Sequence, residues 1–147
     1  MQAYTHQVHY YETDQMAVVH HSNYIRWFEE ARIDYMRQLH ADYQALEAMD
    51  CYSPVLSVRC QYKKGVAFGQ RVDIRLTLVE MTQVKYRFTY RVVDHETGAL
   101  HALGETTHCF VNGKGRVISL KKQQPALFAR FLQQVGVTTG EAEGENF

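Results

Sequence analysis

Residues 23–39 read NYIRWFEEARIDYMRQL, and this stretch decides the fold. Tyr24, Phe28, Ala31, Tyr35 and Leu39 recur at spacings of four, three, four and four, which puts them on one face of an α-helix. Ile25, Trp27 and Met36 widen that face, and Arg26, Glu30 and Arg37 line the opposite side. An apolar face this broad needs a large cover, such as a sheet. Ser22 or Asn23 is the expected N-cap, with no Glu or Gln at the capping-box position to reinforce either.

Working outward, the period changes from helix to strand after Cys51. Leu56, Val58, Cys60 and Tyr62 alternate with Ser57, Arg59 and Gln61. Val72, Ile74, Leu76 and Leu78 alternate with polar residues in the same way, as do Val84, Tyr86, Phe88, Tyr90 and Val92. Each run has the two faces of a half-buried antiparallel strand. Met81–Gln83 and DHETG (Asp94–Gly98) are expected hairpin connections. A last strand is expected over about Leu100 to Asn112, where weaker alternation suits a central strand covered on both sides. Upstream, about Tyr4 to Glu12 reads as the first strand. Shorter helices are expected over Asp42–Met49 and Gln124–Gln134, the latter with Pro125 in its first turn. Only the helix at 23–39 is long and apolar enough to cover the strands. An α+β fold follows, a five-stranded antiparallel sheet wrapped around one long central helix. Residues 1–137 form one domain, and the polar, acidic tail TTGEAEGENF (Thr138 to Phe147) is expected to be disordered.

Composition narrows the function. Sixteen basic residues balance sixteen acidic ones, so no global field for nucleic acid exists, although a local basic patch can still serve a phosphorylated ligand. No stretch approaches the ~18 apolar residues of a membrane-spanning helix. The N-terminal MQAYTHQVHYYETDQ lacks the basic start and apolar run of a secretory signal, so a cytoplasmic location is expected. Cys51, Cys60 and Cys109 lack metal-type spacing and suit reduced, small core residues. His20 and His21 are adjacent, and His6 and His9, three apart on a strand, point to opposite faces. With no Cys or carboxylate cluster to complete a ligand set, no metal is expected.

The reactive side chains concentrate just before the long helix, in YYETDQMAVVHHSNY, Tyr10 to Tyr24. Asp14 falls in a loop between the first strand and the helix. The helix N-terminus, a few residues on, offers unpaired backbone N–H groups, which can hold a developing oxyanion. A carboxylate beside an oxyanion site is the minimum apparatus for acyl transfer or hydrolysis. On spacing alone, Asp14 can equally be a turn-capping residue.

The segment YYETDQMAVVHHSNYIRWFEEAR, Tyr10 to Arg32, resembles the signature of the 4-hydroxybenzoyl-CoA thioesterase-like hotdog family. That family includes the small acyl-CoA thioesterases found beside the Tol-Pal system. The resemblance extends more loosely through VRCQYKKGVAFGQRVDIRLTL (58–78) and FVNGKGRVISL (110–120). It implies an acyl-CoA thioesterase that needs no cofactor. Asp14 takes the catalytic position, as nucleophile or general base, and the His21 backbone N–H polarises the carbonyl. The His21 imidazole hydrogen-bonds near the site or is structural. Tyr10, Tyr11, Asn23 and Tyr24 are expected on the substrate site. Lys63 and Lys64 are candidates for the CoA phosphates, or simply solubilise an edge strand. The family forms homodimers and homotetramers with shared sites. Two departures stand out. Met16 and Ala17 replace the small or glycine residues usual after the catalytic loop, which is expected to narrow the acyl pocket. Lys64-Gly65 and Gly69-Gln70 replace an Arg-Pro pair and a Gly-Asp. The rival reading is a hotdog protein that binds acyl-CoA or an acyl carrier protein without turnover. A hotdog dehydratase places its His and acid differently.

Overall fold

A computed structural model of the chain describes residues 1–141. Strand β1 spans Tyr4–Gln7, a 3-10 turn follows at Tyr10–Glu12, and helix α1 spans Ser22–Gln38. Then come α2 (Tyr43–Ala48), β2 (Val55–Tyr62), β3 (Arg71–Met81), β4 (Lys85–Asp94), β5 (Leu100–Cys109), α3 (Leu120–Gln123) and α4 (Pro125–Gln134). The five strands form one antiparallel sheet in the order β1-β3-β4-β5-β2. The expected α+β hotdog architecture is present.

The helix forms where its periodicity says, within one residue at each end, and the expected face is the buried one. Tyr24, Trp27, Phe28, Ala31, Tyr35 and Met36 are all buried. Below them, register Ile74↔Val92, Leu76↔Tyr90 and Leu78↔Phe88 brings the apolar faces of β3 and β4 together. Phe28 stacks on Tyr90 at 4.3 Å and Tyr35 meets Phe88 edge-on at 5.1 Å. Each such side chain contributes roughly 1.5–3 kcal/mol on burial. The helix sits this close because β5 carries Gly104, where a Cβ would lie 2.3 Å from the Phe28 ring. The last strand is central, between β4 and β2, as expected, but ends at Cys109. Cys51 and Cys109 are buried and all three thiols are free.

Four expectations are corrected. The first strand stops at Gln7 rather than Glu12, because Glu12 turns back to bond the His9 N–H and tightens the chain into a 3-10 turn. Neither Ser22 nor Asn23 caps α1; His21 occupies the cap position without a side-chain bond. The apolar side of β2 is not buried: Leu56 is 52% and Val58 37% exposed, because β2 is an edge strand and α1 packs more on β3 and β1. The expected disordered tail is seated at its start. Thr138 bridges Thr77, and Thr139, buried, donates its N–H to the Leu76 carbonyl and accepts the Leu76 N–H on Oγ1. The rest of that expected tail, 142–147, lies outside the described residues.

Candidate active site

The loop between β1 and α1 is built on Glu12. Its Oε1 accepts the His9 N–H and His6 Nε2–H, each at 2.8 Å, and its Oε2 accepts the Trp27 indole N–H at 2.7 Å. Its backbone carbonyl takes the His20 N–H at 2.8 Å and the Asn23 side-chain amide at 2.9 Å. One buried residue thus ties strand, loop and helix together. Burial alone would push its carboxyl up, but the His9, His6 and Trp27 bonds outweigh that and hold it below the usual carboxylate range. His6 extends the network to Glu30, which accepts the Tyr4 hydroxyl at 2.6 Å.

Asp14 follows on a tight turn. Its N–H donates to the Val18 carbonyl, its carbonyl accepts the Ala17 N–H, and its Oδ1 accepts the Met16 N–H at 2.7 Å. Asp14 therefore does cap a turn, with one oxygen; Oδ2 has no partner among the described residues. Ala17 holds φ 62°, a conformation that favours glycine. This left-handed position is filled here by a residue with a Cβ.

Asp14, His21, Tyr24, Tyr62, Lys63 and Lys64 share one cavity of about 280 Å³. Five of these were expected at the site. The structure does not bring the other three there. Tyr10 and Tyr11, 76% and 79% exposed, are turned outward by the 3-10 turn, onto Phe68 and His9 respectively. Asn23 is spent on the Glu12 carbonyl. Met16 is 81% exposed and absent from the cavity wall, so it does not narrow this pocket.

At the start of α1, His20 Nδ1 accepts the Ser22 N–H at 3.2 Å, the His20 carbonyl accepts the Asn23 N–H, and the His20 N–H goes to Glu12. In the stretch 20–23, the His21 N–H is the one with no acceptor among the described residues. The Tyr62 hydroxyl, reaching over from β2, donates to the His21 carbonyl at 3.1 Å, on the peptide that follows. Burial pushes the Tyr24 and Tyr62 phenols up to about 12, so both stay protonated at neutral pH. Sequence reasoning passed over Tyr62; its signal was its place at the end of β2, immediately before Lys63. It also missed that His6, His9 and Glu12 offer ligand atoms within 4.8 Å of one another. The opposite-faces argument fails there because the chain leaves the strand between the two histidines, and Glu12 accepts the His6 Nε2–H and the His9 backbone N–H.

Residues 8–135 match the thioesterase-like superfamily, and the chain belongs to that family. Among its relatives is protein AQ1494 from Aquifex aeolicus, a hypothetical protein of solved structure. The two are 32% identical, with a TM-score of 0.78 over 85% of this chain and 97% of that one. A DHNA-CoA thioesterase from Staphylococcus aureus superposes with a TM-score of 0.85 at 26% identity, over 90% of this chain and 89% of that one. The acyl-CoA thioester hydrolase YbgC of Escherichia coli is 29% identical over 94 residues, 64% of this chain and 70% of that protein.

Proposed function

We propose that this protein hydrolyses the thioester of an acyl-CoA to the free acid and CoA. Membership of the thioesterase-like superfamily supports thioester hydrolysis in general. One observation carries the finer reading: a single cavity is walled by Asp14, with a carboxylate oxygen uncommitted, and by His21, whose N–H lacks an acceptor. In the proposed reaction the thioester carbonyl oxygen accepts the His21 N–H, which steadies the negative charge as it develops. Asp14 either takes a proton from an attacking water or attacks the carbonyl carbon itself, giving an anhydride that water then opens. In both routes the C–S bond breaks and the thiolate leaves, collecting a proton to give CoA. Tyr62, bonded to the His21 carbonyl, ties β2 to the start of α1 beside that N–H. Lys63 and Lys64, with no carboxylate partner among the described residues, meet the phosphates.

The working unit in this proposal is a homodimer, or a tetramer of two such pairs. The free edge of β2 and the exposed Leu56 and Val58 support pairing with a second copy. Among the described residues no helix is long and apolar enough to cross a membrane, and the site of action we propose is the cytoplasm. An acyl carrier protein is the other thioester donor to test. Incubation with a panel of acyl-CoAs and acyl carrier protein thioesters, with a thiol-trapping dye, decides the matter. Release of free thiol is expected; binding of every thioester without thiol release would leave a carrier-binding protein instead.

A further inference from the structure

Apolar side chains that the Asp14 cavity does not use gather beside its mouth. Met16, Tyr11 and Tyr10 are the three most exposed large apolar side chains among the described residues, and Phe68 is 59% exposed. They come from two segments, 8–20 and 63–70, that the backbone locks side by side. Val8 donates its N–H to the Gln70 carbonyl at 2.9 Å, Val19 donates to the Val66 carbonyl at 2.8 Å, and Val18 bridges Ala67. Tyr10 and Phe68, one from each segment, meet edge-on at 5.7 Å, and Tyr11 stacks on His9 at 5.2 Å. Met16 belongs to the turn that Asp14 caps. The same two segments give Asp14, Val18, Lys63, Lys64 and Gly65 to the cavity wall. Single exposed apolar residues need no explanation, but several held out on one bonded rim mark a contact surface.

The charge of the rim says what covers it. Lys63 and Lys64 are exposed and have no carboxylate partner among the described residues. The two acids of these segments do not offset them at the surface: Glu12 is buried with both oxygens committed, and Asp14 faces the cavity. A second copy meeting this rim about a two-fold axis would bring the same lysines to it again, like charge against like. An anionic phospholipid surface offers the complement, phosphates for the ammonium groups and an apolar layer beneath them for the tips. Tyrosine suits that boundary, with an apolar ring and a polar end.

Going beyond the acyl-CoA reading, we propose that this rim docks the protein on an anionic phospholipid bilayer. Tyr10, Tyr11, Met16 and Phe68 sit at the boundary between headgroups and acyl chains, and the mouth of the Asp14 cavity faces the lipid. The contact is peripheral and made by loop tips. Where the acyl-CoA reading holds, docking selects long-chain acyl-CoA borne by the membrane. Such a thioester keeps its tail in the hydrocarbon and its phosphates among the headgroups, level with Lys63 and Lys64.

The test uses the full chain and two readouts. One is co-sedimentation with vesicles of phosphatidylcholine, alone or mixed with phosphatidylglycerol, which needs no turnover. The other is thiol release from a long-chain acyl-CoA carried in those vesicles and from a short-chain acyl-CoA in solution. The wild type is expected to bind the phosphatidylglycerol vesicles more tightly, and less so as salt rises. Tyr10→Ser, Met16→Ser and Phe68→Ser combined change only exposed side chains, so the urea midpoint stays put. This triple variant is expected to weaken binding to both kinds of vesicle by about tenfold or more. Its turnover of the vesicle-borne substrate falls by about as much, while kcat on the soluble substrate is unchanged. Lys63→Ala with Lys64→Ala removes the preference for phosphatidylglycerol. A wild type that stays in the supernatant with both vesicles overturns the docking, whatever the thioesterase does. So does a triple variant that binds as the wild type does, which would leave charge attraction alone. A triple variant with half the wild-type mass in sedimentation velocity would assign the rim to a second copy and overturn it as well. If the wild type docks through these tips yet hydrolyses no thioester, the docking stands and the thioesterase reading falls.

Discussion

Glu12 and Asp14 are two carboxylates two residues apart, and the protein treats them in opposite ways. Glu12 is buried, and its two oxygens take three bonds from groups drawn from β1, the loop and α1. Asp14 is half-buried at a cavity, with one oxygen committed to its own turn and the other free among the described residues. A carboxylate saturated by protein donors is scaffold, because nothing remains for a ligand. A carboxylate held in place with a lone pair to spare can meet one. The same division runs through the histidines. His6 is locked to Glu12, whereas His21 is exposed beside the cavity with its N–H uncommitted.

Breaking the scaffold side gives the largest expected effect on stability. Glu12→Ala leaves the Trp27 indole, the His6 ring and the His9 N–H without their acceptor. A loss of about 3–5 kcal/mol is expected in urea unfolding. Turnover falls with it, because the loop carrying Asp14 loses its anchor.

Lowering the pH tests the buried polar groups next. Burial, and then the nearby Arg32, depress the His108 imidazole to about 3. The unfolded imidazole titrates near about 6.5. Between those values the unfolded chain binds more protons, so stability is lost as pH falls through that window. By pH 4.5 this group alone costs roughly 2–3 kcal/mol relative to pH 7. His108→Gln flattens that part of the profile. Glu12, with its carboxyl lowered, contributes in a different window: its stabilisation is present above about pH 4.3 and lost only below it. Unfolding series at several pH values in both variants separate the two.

Trp27→Phe keeps most of the packing and removes one donor from Glu12 Oε2, for about 1–3 kcal/mol in the same assay. The smallest effect belongs to the active side. Ala17→Gly relieves a left-handed alanine but frees the unfolded chain, two opposing contributions of about 1 kcal/mol each. A shift in unfolding midpoint within about 1 kcal/mol of wild type is expected.

The contrast also explains what the sequence disclosed. Helix α1 was legible because its burial repeats locally, every three or four residues from Tyr24 to Leu39. The role of Glu12 was not, because its partners lie six and fifteen residues away and only the folded loop brings them together. The 3-10 turn that Glu12 creates is why Tyr10 and Tyr11 point away from the cavity. Strand β2 alternates as plainly as β4, yet its apolar side is open; alternation reports a face, and only the order of strands decides whether a helix covers it. Thr138 and Thr139 were misread for a similar reason. Polar composition suggested a loose tail, but backbone and hydroxyl bonds to β3 do not need apolar side chains. Asp14 and His21 were singled out by their loop position and the motif resemblance, Lys63 and Lys64 by their place at the end of β2, and one cavity holds all four.

The most direct measurement is kcat of Asp14→Asn on the best acyl-CoA of the panel, with its urea midpoint taken alongside. Asparagine keeps the size and can still accept the Met16 N–H, but it can neither take a proton from water nor attack the carbonyl. The expected result is a loss of at least about a hundredfold in kcat with the unfolding midpoint unchanged. A folded Asp14→Asn protein that turns over acyl-CoA at the wild-type rate would contradict the account, and Asp14 would then be only the turn-capping residue that its bond to Met16 already makes it.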